Sequence, residues 1–241
     1  MINLALVGYG KMGKMIEEIA PKTEFNISGK YDVINPVKKH LKNNTDVAIE
    51  FSTPASVIEN IEFLSSKGID VVCGTTGWYN KADIVKDIIK KNGTGFIFAS
   101  NFSVGVNIFF QMVKNAAKLM NNYPQYNVLV NETHHTQKLD KPSGTAIRTA
   151  EYLIEKLNRK EIITNDSIAP AENEINIVSE RVKDVVGRHE VKFNSEADTI
   201  SLVHNAKSRL GFAEGALLAA KYINGKKGFY KFEDIFTDLI K

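Results

Sequence analysis

Residues 132–146 read Glu-Thr-His-His-Thr-Gln-Lys-Leu-Asp-Lys-Pro-Ser-Gly-Thr-Ala. Two of the five histidines, His134 and His135, are adjacent here, and Lys138 follows three residues after the second. Histidine titrates near neutral pH, so it can hold or release a proton during a reaction. Lysine supplies a fixed cation or, when desolvated, a proton. The run Pro142-Ser143-Gly144-Thr145 reads as the end of a loop and the start of a helix. Its hydroxyls and the N–H groups of a helix start attract carboxylates. The chemistry assembled is proton donation beside an anion site. A polar surface loop with a capped helix behind it is the plainer reading of the same residues. No metal is expected, because His-His has neither the four-residue helical spacing nor the cysteine company of a usual zinc site.

A second cluster stands at the start of the chain. Residues 2–7 form a short apolar run, and Gly8-Tyr9-Gly10-Lys11-Met12-Gly13 follows at once. Helical character covers 15–20 and stops at Pro21. Glycine-x-glycine-x-x-glycine between a strand and a helix is the context of dinucleotide binding. Gly8 permits a tight turn, Gly10 lets backbone approach a pyrophosphate, and Gly13 lets the helix pack on the strand. The helix start then offers N–H groups and the positive end of a dipole. Asp32 closes a second strand over 25–30, at the distance expected for the acid that binds the adenosine ribose. An acid there favours NAD, because it repels a 2′-phosphate. A glycine turn in another α/β protein and a solvated loop acid are the plain alternatives.

These clusters need elements to hold them. Strands over 47–51, 69–73 and 95–99 alternate with helices over 55–67 and 81–91, which implies a doubly wound parallel sheet. Ligands on such sheets sit beyond the carboxyl ends of the strands. Gly74, Thr75 and Thr76 fall at one such end, and Ser100, Asn101 and Phe102 at another, so both groups are expected at the cofactor. Cys73 lies within its strand and reads as a small core residue. A long helix over 105–120 precedes a strand over 126–131 that delivers the His-His-x-x-Lys loop. Ser143 caps a helix reaching about 157. Residues 158–174 look polar and irregular. Strands over 175–182, 189–194 and 199–206, joined by short turns, suggest a mixed or antiparallel sheet. A helix over 211–223 and a short amphipathic segment over 228–241 complete the chain. The expected architecture is Rossmann-like α/β plus a smaller α+β domain. Residues 1–103 and 211–241 form the dinucleotide-binding domain. Residues 104–210 form the second, α+β domain, which carries the His-His-x-x-Lys loop.

Composition excludes other classes. At 241 residues the chain can bury a real core. A net charge of +3, with no basic run interleaved with aromatics, does not point to nucleic acid. The single cysteine allows no internal disulfide and fits a reducing compartment, so a cytoplasmic location is expected. No apolar run approaches membrane-spanning length, and no signal-peptide pattern opens the chain.

Taken together these residues resemble the 4-hydroxy-tetrahydrodipicolinate (dihydrodipicolinate) reductase family of lysine and diaminopimelate synthesis. The family signature Glu-x-His-His-x-x-Lys-x-Asp-x-Pro-Ser-Gly-Thr-Ala is matched throughout 132–146. Gly-Thr-Thr-Gly at 74–77 and Asn-Phe-Ser-Val-Gly-Val-Asn at 101–107 match as well. So do Val186-Gly187-x-His189-x-Val191 and Ser208-Arg209 before Phe212-Ala213. Lys141 replaces the small residue usual in the signature. Val33 stands where the family often has an arginine after the ribose acid.

The resemblance implies an oxidoreductase that carries hydride from NADH or NADPH to the cyclic dipicolinate precursor, giving tetrahydrodipicolinate. A small dicarboxylate substrate needs cations and N–H donors, which His135, Lys138, Ser143, Gly144 and Thr145 can supply. Hydride transfer to a conjugated imine leaves charge to be quenched by a proton, with His134 as the donor and Lys138 as a second donor. Gly8, Tyr9, Gly10, Lys11, Met12, Gly13 and Asp32, with the two strand-end groups, would hold the cofactor. The family suggests that residues 104–210 are the substrate-binding and oligomerisation domain, with a homotetramer built through the second domain's sheet. The competing readings are another Rossmann oxidoreductase, such as an aspartate- or homoserine-dehydrogenase-like protein, and a nucleotide sensor without turnover.

Overall fold

The computed structural model describes residues 1–239. In chain order the elements begin β1 (Ile2–Val7), α1 (Lys11–Ile19), β2 (Phe25–Tyr31), α2 (Val37–His40), β3 (Val47–Glu50), α3 (Val57–Ser66), β4 (Asp70–Cys73), α4 (Ala82–Asn92) and β5 (Gly95–Phe98). Then follow α5 (Val104–Met120), β6 (Asn127–His134), α6 (Gly144–Lys156), β7 (Ile162–Asn165), β8 (Glu174–Arg181), β9 (Gly187–Asn194) and β10 (Thr199–Ala206). The last are α7 (Leu210–Ile223), β11 (Gly228–Lys231) and α8 (Phe232–Leu239). The chain divides into two compact units: Met1–Val104 with the segment from Arg209 onward, and Gly105–Ser208.

The first unit is a six-stranded sheet in the order β11-β5-β4-β3-β1-β2, parallel at every pairing. Its strands are apolar on both faces because helices cover both. Leu4 and Leu6 of β1 enter one core with Ile16 of α1 and Ala216 and Ala220 of α7. Ala5 and Val7 enter the other with Ile61 and Leu64 of α3 and Val85 and Ile89 of α4. All of these are at most 4% exposed, and burying a side chain of Val or Leu size contributes about 1.5–3 kcal/mol. The helix α7 packs on α1 and on β3, β4 and β5.

The second unit is a mixed five-stranded sheet, β10-β9-β6-β8-β7. β10, β9 and β6 run antiparallel to their neighbours, while β6, β8 and β7 are mutually parallel. Its core joins Phe109, Phe110 and Val113 of α5, Ala150 and Leu153 of α6, and Val130, Ile177 and Val191 of the sheet.

The structure differs from the sequence reading at several elements. α1 starts at Lys11 rather than near 15, immediately behind the glycines. β6 runs through His134, so His134 stands on a strand and not in the loop. β7 lies inside the stretch read as irregular, as a four-residue edge strand with Ile162 46% exposed. β11 replaces the first part of the expected amphipathic tail and pairs with β5, stacking Phe229 on Phe96 at 5.2 Å. Residues 240 and 241 of that tail lie outside the described residues. Among the described residues no helix is long and apolar enough to cross a membrane.

Candidate active site

The turn between β1 and α1 explains its glycines. Gly8 has φ +89°, and a Cβ there would lie 2.1 Å from the Phe51 carbonyl oxygen at the end of β3. No side chain fits. A Cβ at Gly13 would come within 2.8 Å of the Gly8 oxygen, which is the close helix–strand approach expected of the third glycine. At Gly10 no atom lies within 4 Å of the Cβ position, and no side chain caps α1 there. An open backbone at a helix N-terminus fits a pyrophosphate. β1 lies between β2 and β3, where the strand order reverses, and this switch point is where such sheets take ligands.

The other strand ends are arranged around the same edge. Met12, Phe51, Gly74, Asn101, Phe102 and Arg209 border a cavity of about 190 Å³. The Phe102 ring is also core, packed against Phe51 and Phe232 at 6.2 and 5.0 Å. Ser100, Thr76 and Lys11 are exposed. Asp32 is exposed just past β2, and its Oδ1 accepts the N–H groups of Ile34 and Asn35 at 2.9 Å each. Tyr9 turns its hydroxyl to Glu17. Thr75 faces inward instead, and its hydroxyl donates to Oε2 of the buried Glu50 at 2.6 Å.

Glu50 escapes a reading by motif. Its carboxylate also accepts from Ser52 and Asn60, so it ties the loop after β3 to the loop after β4. Burial pushes its carboxyl pKa up, against the lowering effect of the Ser52 and Thr75 hydrogen bonds. A charged residue closing the apolar run Val47-Ala48-Ile49 was its only signal.

In the second unit, β6 carries Val128, Val130, Glu132 and His134 on its buried face. The last two sit at core positions and are 1% and 7% exposed. Across the ladder, His189 of β9 faces Glu132 directly. Oε1 of Glu132 accepts the Ser143 N–H at 3.0 Å and Nη2 of Arg181 at 3.2 Å. Oε2 lies 3.2 Å from Nδ1 of His134, off the line of a well-formed hydrogen bond, and 3.9 Å from Nε2 of His189. The Ser143 hydroxyl is 3.3 Å from that His189 nitrogen and accepts the Ala146 N–H at 3.2 Å, capping α6.

Charge in this cluster is sharply sorted. Burial alone would raise the Glu132 carboxyl pKa, but the neighbouring His134 ring and the Ser143 N–H hold it well below the usual range, so it is ionised. Burial, and then the neighbouring His134, press the His189 pKa down to about 3, so that ring is neutral. Arg181 supplies the compensating cation and also donates to the carbonyls of Lys138 and Asp140, pinning the loop between β6 and α6. Lys138 is paired with the exposed Asp140 at 2.8 Å. His135 is half-buried, with its Nδ1 unpartnered, and Gly144 is exposed at the start of α6.

The structure therefore brings His134, Ser143, Glu132, Arg181 and His189 into one cluster, with Lys138 held to it through Arg181. Ligand atoms of Glu132, His134 and His189 lie within 4.8 Å of one another, close enough to share a cation. Arg181 on the same carboxylate already supplies positive charge and opposes a further one. Arg181 and Gly187 are functional candidates that residue type alone did not mark.

Comparison with known proteins settles the family. The N-terminal model of dihydrodipicolinate reductase matches residues 2–102, and its C-terminal model matches residues 105–236. The chain belongs to the dihydrodipicolinate reductase family. It is 41% identical over 242 residues to a 4-hydroxy-tetrahydrodipicolinate reductase of Christiangramia forsetii, covering all of both chains. It is 35% identical over 229 residues to the enzyme of that name from Methanococcoides burtonii, covering 93% of this chain and 85% of the other. In fold it is similar to a dipicolinate-bound dihydrodipicolinate reductase from Paenisporosarcina sp. TG-14, with a TM-score of 0.76, 23% identity and coverage of 98% and 100%. As a member of the dihydrodipicolinate reductase family, the chain is an oxidoreductase of lysine/diaminopimelate biosynthesis that works with a nicotinamide cofactor.

Proposed function

We propose that the chain reduces the cyclic dipicolinate precursor to tetrahydrodipicolinate, with His134 as proton donor and NADH as an effective cofactor. The observation that carries this reading is His134 itself. It is a buried histidine at a strand end, set against an ionised carboxylate, four residues before Lys138 and beside the capped start of α6. The reduced nicotinamide supplies the hydride. The chain's residues do the rest. Lys138, His135 and the Ser143-Gly144-Thr145 turn take the substrate carboxylates through a cation and N–H donors. His134 gives its proton to the electron-rich ring that hydride addition leaves, and Lys138 steadies the charge.

Gly8, Gly10 and Gly13 with the start of α1, and the ends of β4 and β5, would hold the cofactor. Asp32 would take the adenosine ribose through the oxygen that the turn at Ile34 and Asn35 leaves over. A homotetramer through the second sheet is part of the proposal, since the edge strand β10 leaves Ile200 and Val203 42% and 49% exposed. A buried, free Cys73 fits a reducing cytoplasm.

The test is oxidation of NADH or NADPH on addition of the fresh condensation product of pyruvate and aspartate semialdehyde, in wild type and His134→Gln. Loss of a general acid typically costs about 100- to 10,000-fold in rate, with cofactor affinity near wild type. Normal turnover in the variant removes His134 from the mechanism. A packed histidine with no chemical role would instead show as a lower melting temperature.

A further inference from the structure

The two nitrogens of His134 have different surroundings. Nδ1 is buried and lies 3.2 Å from Oε2 of Glu132, and among the described residues neither atom has a well-formed hydrogen bond of its own. The other carboxylate oxygen is already taken by the Ser143 N–H and by Arg181. His189 does not compete well for Oε2, because its Nε2 is 3.9 Å away and 3.3 Å from the Ser143 hydroxyl. On the opposite edge of the His134 ring stands Gly187, the first residue of β9. A Cβ at 187 would lie 3.1 Å from Nε2 and 3.3 Å from Cδ2. Gly187 is not among the glycines with positive φ, so its backbone does not demand a glycine. Glycine in a strand costs stability and often marks a close approach. Here the ring of His134 is what approaches.

We propose that Glu132 is the positioning residue for proton transfer: it takes the Nδ1–H of His134, so that Nε2 is the nitrogen that gives up the proton, and the bare Gly187 leaves Nε2 uncovered. This rests on the reading of His134 as the donor. Before transfer the imidazolium carries a proton on each nitrogen. Hydride from the reduced nicotinamide adds its electron pair to the substrate ring, and the Nε2–H bond breaks as its proton goes to that ring. The neutral imidazole left behind keeps Nδ1–H, on the side of Oε2. A carboxylate behind an imidazole fixes its tautomer and orientation without being protonated itself.

The test uses Glu132→Gln, Gly187→Ala and His134→Gln in the full chain, with ¹⁵N-labelled histidine. In the wild type at alkaline pH, the neutral ring of His134 should give the ¹⁵N shifts of the Nδ1–H tautomer. Glu132→Gln should abolish that preference and lower kcat by about 100-fold or more, the scale of a wrong tautomer, while KM for the cofactor holds. Gly187→Ala should keep the tautomer and the melting temperature but lower kcat about tenfold, because a methyl crowds the donating nitrogen.

An Nε2–H tautomer in the wild type overturns the proposal, even if Glu132→Gln fails to fold. So does a folded Glu132→Gln with wild-type kcat. If His134→Gln is crippled while Glu132→Gln is not, only this inference fails. If His134→Gln turns over normally, the donor reading beneath it fails too.

Discussion

Lys30 of β2 and Glu17 of α1 hold each other at 2.9 Å, with the Lys30 ammonium 5.0 Å from the centre of the Tyr9 ring. Lys30 would be the natural partner for a 2′-phosphate beside Asp32, and it is already engaged. The pair is half-exposed and weak in itself. Its effect is on where the cation points.

The first prediction follows from it. NADH should be used at least as well as NADPH, because Asp32 repels a 2′-phosphate and Val33 supplies no guanidinium. Asp32→Ala should move the ratio of kcat/KM values toward NADPH. Glu17→Gln should do the same by releasing Lys30, and added salt should erase the gain because the charge is exposed. A wild type preferring NADPH tenfold or more, about 1.4 kcal/mol, would show that the lysines outweigh Asp32.

Lys138→Ala should hurt substrate KM and kcat together, since a cation on a carboxylate acts in ground and transition states alike. Pyridine-2,6-dicarboxylate, a planar mimic of the ring, should compete with substrate in the wild type and bind this variant far more weakly. In the free protein Lys138 is paired with Asp140, so Asp140→Asn should tighten inhibition modestly. Equal inhibition of wild type and Lys138→Ala would place the carboxylate site elsewhere.

Stability should depend on pH through His189. Its pKa is about 3 when folded, against an ordinary histidine value of 6.5. Between those values the unfolded chain binds a proton that the native one does not, so stability rises with pH across that window. It is fully present above about 6.5 and lost as pH falls toward 3, by an amount on the order of a few kcal/mol. His189→Asn should flatten denaturant midpoints over this range. An unchanged slope would mean that His189 does not stay neutral in the fold.

Asp70 ties two distant turns, accepting the N–H groups of Gly95 and Gly225 at 2.7 Å each. Asp70→Ala leaves the buried Gly95 donor unsatisfied and should cost about 1–3 kcal/mol. The melting temperature should drop by several degrees, with kcat/KM at low temperature near wild type. A loss of activity without a loss of stability would contradict a purely structural role.

How far the sequence could be read follows local physics. The turn at Gly8 and Gly13 was legible because each of these glycines answers a nearby backbone, and the Ser143 cap because capping is a matter of four residues. His134 looked like a loop residue because Glu132 and His134 fill core positions with polar groups, ending the hydrophobic alternation that marks a strand. That break is the proposed site. β7 and β11 are four-residue edge strands, too short for a pattern. The inward hydroxyl of Thr75 depends on Glu50, twenty-five residues away. The pairing of Glu132 with His189 depends on strand register, which no local spacing reveals.

The place of β11 bears on how the protein is made. β5 has its outer neighbour only when β11 arrives, after the whole of Gly105–Ser208 has been synthesised. At typical ribosomal speeds that delay is on the order of ten seconds. Throughout it, one edge of the nascent parallel sheet presents unpaired N–H and C=O groups, a template for aggregation. The contiguous second unit has no such wait. Chains stalled with residue 208 carried clear of the exit tunnel on a flexible linker should therefore protect amides of β6 and β9 from hydrogen exchange while those of β5 still exchange. Early protection of β5 would show that the sheet closes without its last strand.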